Sequence, residues 1–146
     1  MKDIESIKSA EGLLALIIYD SFKKKGIHFF TPPELSQQVA YMQHEKGKAI
    51  QAHIHNPVPR EVSYTQEVLF IKAGKLRVDF YNKSKDYLES RTLGPGDVIL
   101  LATGGHGFEV LEDLEMIEVK QGPYVGENDK IRFDGNPKHA IEAEVK

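Results

Sequence analysis

The chain has 146 residues, 40% of them hydrophobic and 28% charged, a balance that suits one soluble domain with one core. Its formal net charge of -3 argues against nucleic acid or an anionic membrane as the main partner, because either favours a basic face. It has no cysteine, which excludes disulfides, thiolate nucleophiles and cysteine-ligated zinc or iron–sulfur centres.

In chain order, Met1-Lys2-Asp3-Ile4-Glu5 puts acids where a secretory signal needs a basic start and an apolar run, so a cytoplasmic protein is expected. The longest apolar stretch, Leu13–Tyr19, is far short of the about 20 residues a membrane helix needs. Its isoleucines and tyrosine predict a buried strand. Ile27–Phe30 predicts a second strand, ended by Thr31-Pro32-Pro33. Glu34–Gln38 predicts one helical turn. Val39–Met42 and Ala49–His55 predict strands on either side of polar Gln43–Lys48, and the prolines of Asn56–Arg60 mark a loop. Glu67–Lys72 predicts a strand and Ala73-Gly74 a turn, and the alternation in Leu76–Tyr81 predicts a half-buried strand. The turn Gly94-Pro95-Gly96-Asp97 precedes a strand at Val98–Leu101. After Gly104-Gly105, two more strands, His106–Leu111 and Glu115–Lys120, flank a turn at Glu112-Asp113. Asn136-Pro137 reads as an N-cap and first-turn proline, so Lys138–Val145 is expected as a short helix or a frayed tail. Short strands separated by frequent turns, without repeats, predict one all-β domain, a sandwich or barrel, over residues 1–146.

The sharpest local feature is His53-Ile54-His55. On a strand, side chains at i and i+2 share a face, so two imidazoles side by side can chelate one metal ion. Glu67 opens an apolar strand, where an unpaired carboxylate is costly. His106 sits in Gly104-Gly105-His106-Gly107, directly after another apolar strand. Three nitrogens and one oxygen leave open positions on an octahedral ion, and suit Fe(II), Mn(II), Ni(II), Co(II) or Zn(II) alike.

These segments, His53-x-His55, Glu67 with six residues before Gly74, then Gly96-Asp97 and His106, resemble in order the two-part motif of the cupin superfamily. The resemblance runs from about Ala49 to Lys120. It implies a double-stranded β-helix of the jelly-roll kind, with His53, His55, Glu67 and His106 holding a divalent metal. The spacing departs from the usual pattern, with eleven residues between His55 and Glu67 where three or four are common. Glu61, within that longer loop, is the alternative carboxylate ligand. Ala102 stands where proline is common and Val110 where asparagine is frequent. Thr65-Gln66-Glu67-Val68-Leu69-Phe70 and Glu118-Val119-Lys120-Gln121-Gly122-Pro123-Tyr124 resemble small cupins of sugar and surface-polysaccharide metabolism. The resemblance therefore implies an isomerase or epimerase of a sugar derivative. The competing readings are an Fe(II)-dependent dioxygenase and a metal-dependent sugar-binding or sensor protein without turnover. It also implies a homodimer, with Leu13–Tyr19 as the strand that pairs with another subunit.

Around the expected metal, Arg60 offers a planar fork for a carboxylate or phosphate, against the alternative of a solvated loop arginine. Tyr64 and Thr65 are candidates to donate hydrogen bonds to a small-molecule ligand. Glu118 and Lys120 depend on the register of the turn before them. A two-residue turn at Glu112-Asp113 points them outward, as apolar patterning favours, and a three-residue turn Glu112–Leu114 points them inward. Inward, Lys120 becomes an anion anchor or a general acid/base. His28, His44 and His139 are expected to be surface or structural, and the acids between Glu109 and Glu118 to be solvated.

Overall fold

A computed structural model describes residues 3–135. Eight strands follow in chain order: β1 (Ile4–Ser9), β2 (Gly12–Ile18), β3 (Gly26–Phe29), β4 (Ala40–Gln43), β5 (Glu67–Tyr81), β6 (Tyr87–Leu93), β7 (Val98–Leu101) and β8 (Gly105–Lys120). The helical content of the described residues is one short 3-10 turn, Gly126–Asp129. None of their helices is long and apolar enough to cross a membrane. The chain is all-β, and its antiparallel main sheet curls strongly into a half-barrel.

The sheet runs β1-β2-β7-β5-β6, and β8 lies along the other side of β5; β3 and β4 form a separate hairpin. β5 has two halves with different neighbours. Glu67–Phe70 pairs with β7 and Leu76–Tyr81 with β6, while β8 follows β5 from end to end. The expected strand at Leu13–Tyr19 is β2, but both its edges are taken, by β1 and β7, so it is not available to a second subunit.

Two expected turns are bends inside long strands. Glu67–Lys72 and Leu76–Tyr81 belong to the single strand β5, and His106–Leu111 and Glu115–Lys120 to the single strand β8. The ladder slips between Ile71 and Ala73, Ala73 and Lys75, and Lys75 and Leu76. Such bulges bend and twist a strand without ending it. Gly74 permits the bend. Its φ is 84°, and a Cβ there would lie 2.0 Å from the Asp113 carbonyl oxygen of β8. A turn residue in sequence terms thus serves as a close backbone crossing.

The inner face collects Ile7, Ala15, Ile17, Leu69, Ile71, Leu76, Val78, Phe80, Leu93, Ile99 and Leu101, each almost wholly buried. Burial of such apolar area is the main stabilising term, about 25 cal/mol per Å² removed from water. The opposite face of β5 is buried as well, which corrects the half-buried expectation for Leu76–Tyr81. Arg77 and Asp79 are 4% and 5% exposed. They are tolerated because Arg77 donates to Asp79 at 2.9 Å and to Glu109 at 2.8 Å, and Ser90 donates to Asp79 at 2.6 Å. Glu109 is therefore a partner of a buried guanidinium rather than a solvated acid.

Other expectations change too. Glu34–Gln38 forms turns and bends, not a helical turn, and Ala49–His55 forms no strand. Strands β1 and β6 were not anticipated, because Ile4–Ser9 and Tyr87–Leu93 carry too many polar residues to stand out by patterning. The expected helix Lys138–Val145 lies outside the described residues.

Candidate functional site

The curl of β5 decides which residues meet. Tyr64, three residues before the strand, lies 5.7 Å by ring centroid from the Lys83 ammonium, two residues after it. The two ends of the β5–β8 ribbon are thereby brought round toward each other.

Register partners share a face, so the ladder assigns Glu118 to the face of Leu69 and Lys120 to that of Glu67. Leu69 is fully buried in the inner face. Glu118 and Lys120 are thus inward, against the reading that apolar patterning favours. Val119 and Ile117 are outward, at 54% and 51% exposure. The apolar pattern misleads because the sheet is open over this corner: the acid and the lysine face inward yet stay in contact with water.

Glu67 is hemmed in by Leu101 of β7 on one side and Lys120 of β8 on the other. Burial pushes its carboxyl up to about 7, and a hydrogen bond with the Glu118 carboxyl and that group's charge push the same way. Lys120, 3.9 Å away, opposes the shift without cancelling it. Near neutral pH the Glu67 carboxyl therefore holds its proton for much of the time. Lys120 also reaches Asp129 at 3.5 Å. Burial pulls its ammonium down, but the carboxylates of Glu67, Asp129 and Glu118 hold it above its ordinary value. Asp129 accepts a hydrogen bond from Thr65.

His106 enters the same field from the far end of β8, paired with Phe80 and tilted against Phe108 at 5.3 Å between ring centroids. Burial lowers its pKa; Glu118 works against this, and Lys130 and Lys120 work with it. The imidazole is therefore held neutral, with a lone pair on offer. Glu67, Glu118 and Lys120 thus form one inner-face corner, and His106, on the same face at the other end of the ladder, lies within reach of its charges.

The other expected residues stand elsewhere. His53 and His55 lie in the irregular, exposed segment after β4, with ring centroids 5.2 Å apart and His53 Nδ1 3.0 Å from the Gln51 carbonyl. Arg60 donates to the Val58 carbonyl at 3.4 Å, a contact within its own loop. Glu61 is exposed in that loop, and Tyr64, 62% exposed, meets Lys83 rather than the inner corner. Among the described residues, no group of three or more His, Asp or Glu side chains stands close enough to hold one metal ion. In this single chain the four expected ligands are not gathered. Sequence reasoning left Glu118 open, named Thr65 as a hydrogen-bond donor, which here serves Asp129, and missed Asp129 itself. The spacing Glu118-x-Lys120 was a signal for one shared face, but nothing local marks Asp129.

No protein-family model matches the chain, and neither the curated proteins nor the solved structures provide a match.

Proposed function

We propose that the protein is a cupin-type barrel, its half-barrel completing a double-stranded β-helix, that binds a divalent metal ion through His53, His55, Glu67 and His106. Its substrate on this reading is a small polar molecule, with isomerisation or epimerisation of a sugar derivative as the reaction. The observation that carries the reading is the inner-face corner. A half-buried carboxyl pushed up to about 7, a second carboxyl hydrogen-bonded to it and, from the other end of the ladder, an imidazole held neutral all face the inside of the curled sheet. A carboxyl that keeps its proton to about 7 is a group whose proton a cation can replace, and a neutral imidazole is the form that ligates.

The proton-moving part of the reaction falls to groups of this chain. On this reading Glu118 takes a proton from the carbon beside a substrate carbonyl and returns it to the neighbouring carbon. Lys120 is placed to hold a negatively charged substituent at the mouth of the corner. A bound divalent ion would supply charge stabilisation for the electron-rich intermediate of such a proton transfer. His53 and His55 join only if the segment that carries them moves to the corner.

Elemental analysis of protein purified without a histidine tag tests the metal. The expected result is about one ion per chain, lost from His53→Ala and His106→Ala variants; unchanged stoichiometric metal in both sinks the site. Incubation with a panel of sugar phosphates and sugar nucleotides in deuterated water tests the reaction. Deuterium entering the carbon beside a carbonyl supports isomerisation, whereas a raised melting temperature with no exchange shows binding without turnover.

A further inference from the structure

We propose that residues 44–63 are an exchanged arm, which adds as a strand to the outer edge of β8 in a second copy of this chain. Two unsatisfied features motivate this. The first is β8 itself, sixteen residues long, which among the described residues pairs with β5 alone. A long open edge presents a row of unpaired N–H and C=O groups that another strand can complete. Apolar side chains on its outer face are also uncovered: Leu111, Ile117 and Val119 are 44%, 51% and 54% exposed. The second is the arm. Every residue from Met42 to Tyr64 is exposed, and the backbone bond described within the segment is one turn, Lys48 N to the Glu45 carbonyl. Loops beyond about 12–15 residues without structure of their own are uncommon in compact domains and are usually functional or disordered.

The arm has what the edge lacks. Ala49–His55 has the composition of a strand, and Ile50 and Ile54 are 63% and 89% exposed. On a strand these two and Ala52 share one face, while Gln51, His53 and His55 share the other. The charges also match. Residues 46–60 carry Lys46, Lys48 and Arg60 and no acid, whereas the β5–β8 ribbon carries seven acidic residues against four basic ones. Such opposite potentials favour encounter between two copies. Within one chain the arm is exposed along its whole length. It leaves at Gln43 and is pinned again at Gln66, which accepts hydrogen bonds from the Gln37 and Gln121 backbone N–H groups. Reciprocal exchange satisfies both edges by one two-fold operation, since each copy gives an arm and receives one. It also supplies a route for the second copy's His53 and His55 to His106; that consequence alone rests on the metal reading above.

The chain lacks cysteine, so introduced thiols are unique. Ile54→Cys on one chain and Leu111→Cys on a size-tagged chain are mixed, with chelator present, and treated with a short bismaleimide. The expected product is a covalent heterodimer of the two chains. Light scattering should give twice the 16.5 kDa chain mass, falling to one chain when residues 46–60 are replaced by a short Gly-Ser linker. A monomeric mass for the parent chain overturns the proposal. So does a cross-link that forms inside the doubly substituted chain and not between the singly substituted ones. Because chelator is present throughout, absence of a metal site leaves this readout untouched.

Discussion

Glu67 and Lys120 face each other across the β5–β8 ladder, and yet their ion pair, at 3.9 Å, does not keep the Glu67 carboxyl acidic. Burial and the Glu118 carboxyl outweigh the lysine. Three strands meet there, so the group is desolvated on the β7 side before Lys120 contributes.

In metal-free protein this shift has a definite sign. The folded state holds the Glu67 proton to about 7, well above the ordinary carboxyl value of 4.5. Between those values the native state binds more protons than the unfolded one, so this group makes stability fall as pH rises through that window. Glu67→Gln should remove the fall. Urea midpoints at pH 5 and pH 8 should then lie closer together than in the parent chain, with most of the gain at pH 8. An unchanged gap refutes the assignment.

Removing the Arg77 guanidinium should cost about 3–5 kcal/mol, the usual penalty for orphaning a buried charge. Asp79 would keep only its hydrogen bond from Ser90, and Glu109 would lose its 2.8 Å partner. Denaturant unfolding of Arg77→Met checks this. Adding Asp79→Asn in the same chain should return part of the loss, because the orphaned charge is gone.

Gly74→Ala should destabilise by about 2 kcal/mol or more. The position combines a φ of 84° with backbone oxygen 2.0 Å from the new Cβ, and neither can yield without opening the β5–β8 crossing at Asp113. Thermal unfolding measures it. By contrast, Gly47→Ala, also at positive φ but with nothing within 4 Å of its Cβ, should cost no more than about 1 kcal/mol.

If arm exchange and metal binding both hold, two defective chains should complement each other. A His53→Ala/His55→Ala chain and a His106→Ala chain, each metal-poor alone, should regain about one ion per heterodimer after mixing and refolding. Recovery of no metal, from a mixture whose cross-link persists, places all the ligands on one chain or rules out the ion.

Much of the strand order was legible because it rests on local signals. Leu13–Tyr19, Ile27–Phe30, Val39–Met42 and Val98–Leu101 are apolar runs with clear breaks, and each lies within a residue or two of an observed strand. What misled were residues whose meaning depends on a neighbour. Ala73-Gly74 and Glu112-Asp113 look like two turns, but facing each other they make one bend across two strands. Arg77 and Asp79 look solvated until Glu109 and Ser90 are set beside them.

By itself the sequence determined an all-β fold and its cysteine-free chemistry, and it singled out Glu67, His106 and Lys120 as candidates, because composition, strand period and an acid in an apolar run are properties of neighbouring residues. Only the tertiary structure decided that Glu118 joins Glu67, that β2 is internal, and that His53 and His55 stand apart from His106 in one chain. Those facts depend on bulges that reset the register and on a curl that brings the ends of a fifteen-residue strand together, and neither is encoded within any one segment.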